Sequence, residues 1–345
     1  MHPRVSVIII TYNQADTISR AIESVLAQTG HTSFEILLAD DASTDGTRAI
    51  CEDYARRFPT VIRLMPKSPN KGVVRNYFDA FKACRGEFVT DCAGDDYWTD
   101  SLKLDRLSAL LDAHPEATVA FSDWTMRNAA TGHEILGSEH PDALPTDGRV
   151  IPGAEVMMRV MNHTSALPYN LTASLVRREP VANLLNSTPE QLCNPSWGCE
   201  DVPLMAFLAS IGDAVGCPIS TYIYNVESGS VSNGESEVKR ARFYLRVMRC
   251  HRDLAHVYAF PMMMMTDFFI RKADYVVSLA FNSGDCDLAR DVAAELSRWH
   301  LPTLRRTRIQ LSLMSSPLWS ITRTLKIHFK ALKGKFRLNH STLKR

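Results

Sequence analysis

The residues best able to do chemistry come as adjacent carboxylates: Asp40–Asp41 in ADDAS and Asp95–Asp96 in TDCAGDDYWTD, the latter followed directly by Tyr97 and Trp98. Neighbouring like charges beside large aromatics need a cation if they are held near a cavity. Oxygen donors suit Mg²⁺ or Mn²⁺, and Mg²⁺ takes one or two protein carboxylates while leaving its other positions to water and phosphate. One carboxylate plus a diphosphate would therefore complete such a site. Each pair also has a plain structural account. Asp95–Asp96 reads as a solvated turn, and DDAS reads as a helix N-cap. The choice depends on whether the two pairs share one place in the fold.

The elements around them suggest that they do. VSVIII (5–10) and FEILLA (34–39) are continuous apolar runs suited to buried parallel strands. VIRLM (61–65) and GEFVTDC (86–92) read as two more strands. Between them lie helical patterns: Ile18, Ala21, Ile22, Val25 and Leu26 on one stripe, then TRAICEDYARRF, then residues 73–84. The β-α-β-α-β-α-β alternation implies a parallel sheet with right-handed crossovers, whose ligands bind at the carboxyl ends of the strands. TYN (11–13), DDAS (40–43) and AGDD (93–96) all follow strands, so all are expected on one rim. Further strands are expected at 117–124, 172–178 and 214–225, a helix at 200–212 opening on Glu200 and Asp201, and a helical region at 237–299.

Several chemistries are excluded by what is absent. No G-x-G-x-x-G follows the first strand and no G-x-x-x-x-G-K-[ST] occurs, which disfavours a dinucleotide fold and a P-loop. No H-x-E or paired histidines suggest zinc, and G-x-S-x-G is missing too. The eight cysteines form no C-x-x-C pair, which at 345 residues reads as reduced, buried thiols and a cytosolic setting. No apolar run approaches the ~18 residues of a spanning helix. The net charge of +1 conceals an asymmetry: residues 301–345 carry eleven Lys or Arg and no Asp or Glu, so the rest of the chain is strongly acidic. On a helix at 100° per residue, Leu318, Ile321, Leu325, Phe329, Leu332 and Phe336 fall within roughly 80°, beside a stripe of Arg323, Lys326, Lys330, Lys333 and Arg337. Residues 318–337 are therefore expected to lie on an anionic membrane surface, with packing on the protein body as the competing reading. Nucleic acid is not expected as a partner, given the acidic body.

Four stretches, VSVIIITYNQADTISRAIESVLAQT, EILLADDASTDGT, NKGVVRNYFDAFKACRGEFV and GDDYWTD, resemble in order and spacing the N-terminal half of family 2 glycosyltransferases of the bacterial surface-polysaccharide type. The likeness runs unbroken over about residues 4–105 and more weakly through EDVPLMAFLASIG and YNVESGSVS. It implies an α/β GT-A fold: a Rossmann-like, mostly parallel sheet with flanking helices, plus a C-terminal helical region. The expected divisions are 1–105 for the nucleotide-sugar half, 106–235 for the acceptor half, 236–300 for a helical extension and 301–345 for the basic tail. The implied reaction is inverting transfer of a sugar from a nucleotide diphosphate sugar, UDP-linked in the commonest case, to a hydroxyl of a carbohydrate or lipid-linked acceptor. The implied location is cytoplasmic, peripheral on the cytoplasmic face of the membrane.

The resemblance also implies roles. Asp41, with Asp40 beside it, falls where the family contacts the base. Thr11, Tyr12 and Asn13 line the nucleotide pocket, and Gly72, Arg75 and Asn76 approach the ribose and diphosphate. The family's D-x-D falls on Ala93-Gly94-Asp95, so the first acid is missing while Asp95, where the family holds Mg²⁺ or Mn²⁺, is present. Asp96 is a further candidate ligand. GCEDVPL is expected to hold the general base, Asp201, with Glu200 as runner-up; without the resemblance both read as charges favoured at a helix start. In YNVESGSVS, Asn225 and Glu227 stand where the family often has arginine and histidine, and Glu227 is a third candidate oxygen ligand. Ala93 and the missing histidine motivate a competing reading, a catalytically silent nucleotide-sugar-binding protein. A nucleotidyltransferase would want a Gly-rich basic loop after the first strand, which TYNQAD does not supply.

Overall fold

The computed structural model describes residues 2–128, 131–163, 167–226, 236–316 and 319. Glu227 and residues 318–337 other than Trp319, and so every residue of both stripes, lie outside them.

The chain divides into two compact units, Met1–Ser230 with Arg246–Met265, and Val231–Leu245 with Thr266–Arg345. The first unit begins with the expected alternation: β1 (Val5–Thr11), α1 (Ile18–Leu26), β2 (Phe34–Asp40), α2 (Thr47–Arg57), β3 (Ile62–Leu64), α3 (Val73–Ala83) and β4 (Phe88–Asp91). These strands pair parallel in the order β3-β2-β1-β4. β1 is buried almost throughout. Val5, Val7 and Ile9 join Ile36 and Leu38 of β2, and Ile18, Ala21, Ile22 and Val25 of α1, in one apolar cluster.

The sheet then becomes mixed. β5 (Tyr97–Trp98), α4 (Lys103–Ala113), β6 (Ala117–Asn128), β7 (Glu134–Leu136), β8 (Val150–Ile151), α5 (Gly153–Asn162), β9 (Ser174–Arg177), α6 (Arg178–Ser187), α7 (Asp201–Ile211) and β10 (Asp213–Val226) complete it. β9 runs antiparallel between β4 and β6, and the order continues β4-β9-β6-β10-β5. β10 is long and parallel to β6, with register shifts, and its outer part pairs antiparallel with β5 through Tyr222–Trp98 and Ile223–Tyr97. β5 thus fastens the segment after Asp96 to the far end of the sheet.

Helix α8 (Glu237–Val257) gives residues to both units, and α9 (Thr266–Ser283), α10 (Cys286–Arg298) and α11 (Arg305–Ser315) belong to the second. There Phe268, Phe269, Val276, Val277, Leu288, Val292 and Leu296 are buried. Asp285 caps α10 by accepting from Leu288 N at 3.0 Å. Among the described residues, no helix is long and apolar enough to cross a membrane.

Candidate active site

Strand polarity brings the three polar clusters to one rim. The β1–β2 register sets Thr11 opposite Asp40, and β4 lies on the other side of β1. At the end of β1 the chain turns through Asn13 in the left-handed region, φ 54°. Asn13 is tied to the loop after β2: Oδ1 accepts from Thr44 N at 2.7 Å, and its own N–H donates to Ser43 Oγ at 2.9 Å. Asp40 is buried and accepts from the backbone and hydroxyl of Ser43. Asp41 is buried too, its two carboxylate oxygens taking the Lys71 and Gly72 N–H groups, each at 2.9 Å. Gly72, at φ 81° immediately before α3, makes that approach in a conformation costly to a residue with a Cβ. Asn76 Nδ2 donates to Ala39 O at 2.7 Å. The chain's own loop thus uses donors and acceptors of Asn13, Asp40, Asp41 and Asn76. Tyr12 and Arg75 are exposed beside them.

The stretch 92–96 is clamped from three sides. Gly94 N donates to Ile10 O at 3.1 Å, and a Cβ on Gly94 would collide with Gln14 Oε1 and Thr11 Oγ1. The Asp95 carbonyl accepts from Arg20 Nη2 at 3.2 Å and from Asn225 Nδ2 at 3.1 Å. Asn225 N also donates to Asp96 Oδ1 at 3.2 Å. Asn225, where the resemblance anticipates an arginine, therefore holds both members of the Asp95–Asp96 pair through its backbone and side chain. The two carboxylates differ in setting. Asp96 is 3% exposed, and burial followed by the charge of Asp95 pushes it well above the usual carboxylate range. Asp95 is half-buried. The aromatics wall this stretch: Arg20 stacks on Tyr97 at 4.3 Å, and Arg127 donates to its hydroxyl at 2.7 Å.

Glu200 and Asp201 open α7. Asp201 Oδ1 accepts from Val202 N at 2.7 Å, the first-turn contact expected of an acid at a helix start. Burial, then the charge of Asp201, then that of Asp91, pushes Glu200 up to about 8. Asp201 is also raised, by burial. Two neighbouring half-buried carboxylates share a proton more readily than they share two charges.

Sequence reasoning missed part of this acidic cluster. Asp91, the last residue of β4, is buried and accepts from Thr172 Oγ1 at 2.7 Å and from the Tyr77 hydroxyl; burial raises it to about 6. Lys103, the first residue of α4, is 0% exposed, donates Nζ to Thr172 O, and lies 3.9 Å from the Trp98 ring centroid. Burial pushes it down to about 7. The available signal was an acid inside the buried run EFVTDC and a lysine four positions before Leu107 on an apolar stripe.

Among the described residues, no three His, Cys, Asp or Glu side chains converge as a ready-made metal cage. The rim instead has one half-buried carboxylate, Asp95, with Asp96 directly behind it. That donor set fits a Mg²⁺ or Mn²⁺ ion completed by phosphate and water.

The family model for glycosyl transferase family 2 matches residues 6–179, half the chain and the whole of this rim. The chain belongs to this family. Among its relatives, an uncharacterised Mycobacterium tuberculosis protein is 45% identical over 116 residues, 34% of each chain. The putative teichuronic acid biosynthesis glycosyltransferase TuaG of Bacillus subtilis is 35% identical over 145 residues, 42% of this chain and 51% of TuaG. The putative glycosyltransferase EpsE of the same organism is 28% identical over 185 residues, 52% and 64%. The alignments thus span between about a third and two thirds of these relatives. A mannosyltransferase of Pyrobaculum calidifontis, solved with GDP-Man and Mn²⁺, superposes with a TM-score of 0.51 at 15% identity over 91% of this chain and 85% of that one. The fold is GT-A, and the chain is a family 2 glycosyltransferase.

Proposed function

We propose that this family 2 glycosyltransferase moves a sugar, with inversion, from a nucleotide diphosphate sugar to a hydroxyl of a polysaccharide or glycolipid acceptor. The observation that carries this reading is the Glu200–Asp201 pair at the start of α7, both half-buried, with the charges of Asp201 and of Asp91 at the end of β4 holding back ionisation of Glu200. An acceptor hydroxyl is a poor nucleophile and needs a base. Asp201 takes its proton as the acceptor oxygen bonds to the anomeric carbon. The bond from that carbon to the diphosphate breaks on the opposite face, and the nucleoside diphosphate leaves. Glu200, raised to about 8, keeps its proton at neutral pH and leaves the charge to Asp201.

A divalent cation bound at Asp95, with Asp96 and Glu227 as further candidate ligands, would supply Lewis-acid stabilisation of the leaving diphosphate. Thr11, Tyr12 and Asn13 border the nucleotide, Asp40 and Asp41 the base, and Gly72, Arg75 and Asn76 the ribose and diphosphate. Arg75, exposed on the first turn of α3, is a charge-assisted donor for phosphate. The name of TuaG, a putative teichuronic acid biosynthesis glycosyltransferase, supports a polysaccharide setting, and UDP is the nucleotide anticipated from the family resemblance.

The test is nucleoside diphosphate release from a panel of UDP- and GDP-linked sugars with Mn²⁺, without and with acceptor. Release from one donor, accelerated by acceptor, is expected. Binding with no release would favour the silent-protein reading that Ala93 motivates.

A further inference from the structure

Position 225, where the resemblance anticipates an arginine, holds Asn225, yet a guanidinium reaches the same oxygen from another element. Arg20, on the first turn of α1, donates Nη2 to the Asp95 carbonyl at 3.2 Å, and Asn225 Nδ2 donates to that carbonyl at 3.1 Å. The Arg20 guanidinium also lies 4.3 Å from the centroid of the Tyr97 ring. Tyr97 is fixed in turn. Arg127 Nη1 donates to its hydroxyl at 2.7 Å, and Arg127 stands opposite Asn225 in the β6–β10 register. The contacts close a circuit on the rim, Arg20–Asp95–Asn225–Arg127–Tyr97. Asp95 and Tyr97 are half-buried, whereas Asp96 and Trp98 are buried.

The two cations of the circuit are not equivalent. Arg127 is paired with Glu134 of β7, to which its Nε donates at 2.6 Å. Arg20 is exposed, and it meets a carbonyl and a ring face, neither of which removes its charge. Of its five N–H donors, the Asp95 carbonyl takes one. A planar fork already seated on an aromatic ring loses little freedom when it binds, and its geometry matches phosphate oxygens.

We propose that Arg20, seated on Tyr97, is a binding residue for the diphosphate of the nucleotide, working beside the cation at Asp95. The inference rests on the reading of this rim as a nucleotide diphosphate site. Asp95 and Asp96 would repel a diphosphate, and a cation and a guanidinium together offset that repulsion. As the bond to the anomeric carbon breaks, negative charge grows on the diphosphate. A guanidinium held in place beforehand receives that charge without reorganisation.

Titration calorimetry of UDP and GDP at saturating Mn²⁺ tests this, on the full-length protein and on Arg20→Gln, a change at an exposed side chain. Arg20→Gln should weaken the nucleoside diphosphate that the wild type binds by roughly 10–100-fold, the worth of a hydrogen bond to a charged group. Uridine or guanosine, which carries no phosphate, should bind the two proteins alike. Arg20→Lys, which keeps the charge and loses the fork, should fall between them. Equal diphosphate binding by the wild type and Arg20→Gln would overturn the proposal; if acceptor-accelerated release alone falls, the residue serves the acceptor instead. An equal loss for nucleoside and nucleoside diphosphate would also overturn it, because Arg20 would then only tie the loop. If the wild type binds neither diphosphate, the nucleotide-sugar reading fails and takes this one with it; if it binds one and Arg20→Gln binds it equally, the role of Arg20 alone falls.

Discussion

Asp95 and Asp96 are sequence neighbours with different surroundings, and their chemistry differs accordingly. Asp95 is half-buried on the rim, whereas Asp96 is sealed beneath it against Asn225. Asp95→Asn should abolish Mn²⁺-dependent binding of a nucleoside diphosphate in titration calorimetry while leaving the fold intact; unchanged metal-dependent binding would remove Asp95 from the metal site. Glu200 makes a stability prediction. Its carboxyl is raised in the folded state from an ordinary 4.5 to about 8, so the fold favours the protonated form. Stability from this group is present below pH 4.5 and is lost as pH rises through 8. Denaturant unfolding should show stability declining across that window, and Glu200→Gln should flatten the decline. Equal slopes in the two proteins would refute the shift. The candidate residues were legible where a motif fixes spacing, as in GDDYW and GCEDVPL. Lys103 was not: at the first position of a helix it reads as a solvated charge, and its burial comes from Thr172, 69 residues away.

At the scale of elements, the first four strands and three helices were readable because apolar runs and stripes of the right period alternate there. β5, β7 and β8 are two or three residues long, too short for any period to register. The antiparallel β9 between β4 and β6 was expected as a strand, but its direction follows from the packing of the chain between 128 and 174, which no local pattern states. The turn into α3 carries a sharper expectation. A Cβ on Gly72 would meet nothing within 4 Å, so Gly72→Ala isolates the backbone conformation at φ 81°. The substitution should cost about 1–3 kcal/mol in equilibrium unfolding. It should also weaken nucleotide binding, because the Gly72 N–H holds Asp41. A variant as stable as the wild type would show that the turn relaxes without cost.

Across the whole molecule, an acidic body is joined to a basic end, and the role proposed for that end is placement on an anionic membrane. The five basic residues of the stripe, Arg323, Lys326, Lys330, Lys333 and Arg337, are worth on the order of 1 kcal/mol each near an anionic surface, an attraction screened over about 8–10 Å at physiological salt. Full-length protein should sediment with anionic vesicles at low salt and less at high salt, and removal of residues 315–345 should abolish this while sparing nucleotide release. Full-length protein that ignores such vesicles at low salt would end the membrane reading, and the apolar stripe would then be expected to pack on protein. The central claim is that a family 2 glycosyltransferase core uses Asp201 as the base for sugar transfer. Steady-state transfer by Asp201→Asn, with the donor that the wild type selects and Mn²⁺ present, tests it most directly. Turnover should fall by about 10²–10⁴-fold with donor affinity little changed, the loss expected for a positioned base that does not touch the nucleotide. Near-normal transfer by that variant would contradict the account and move the base to Glu200.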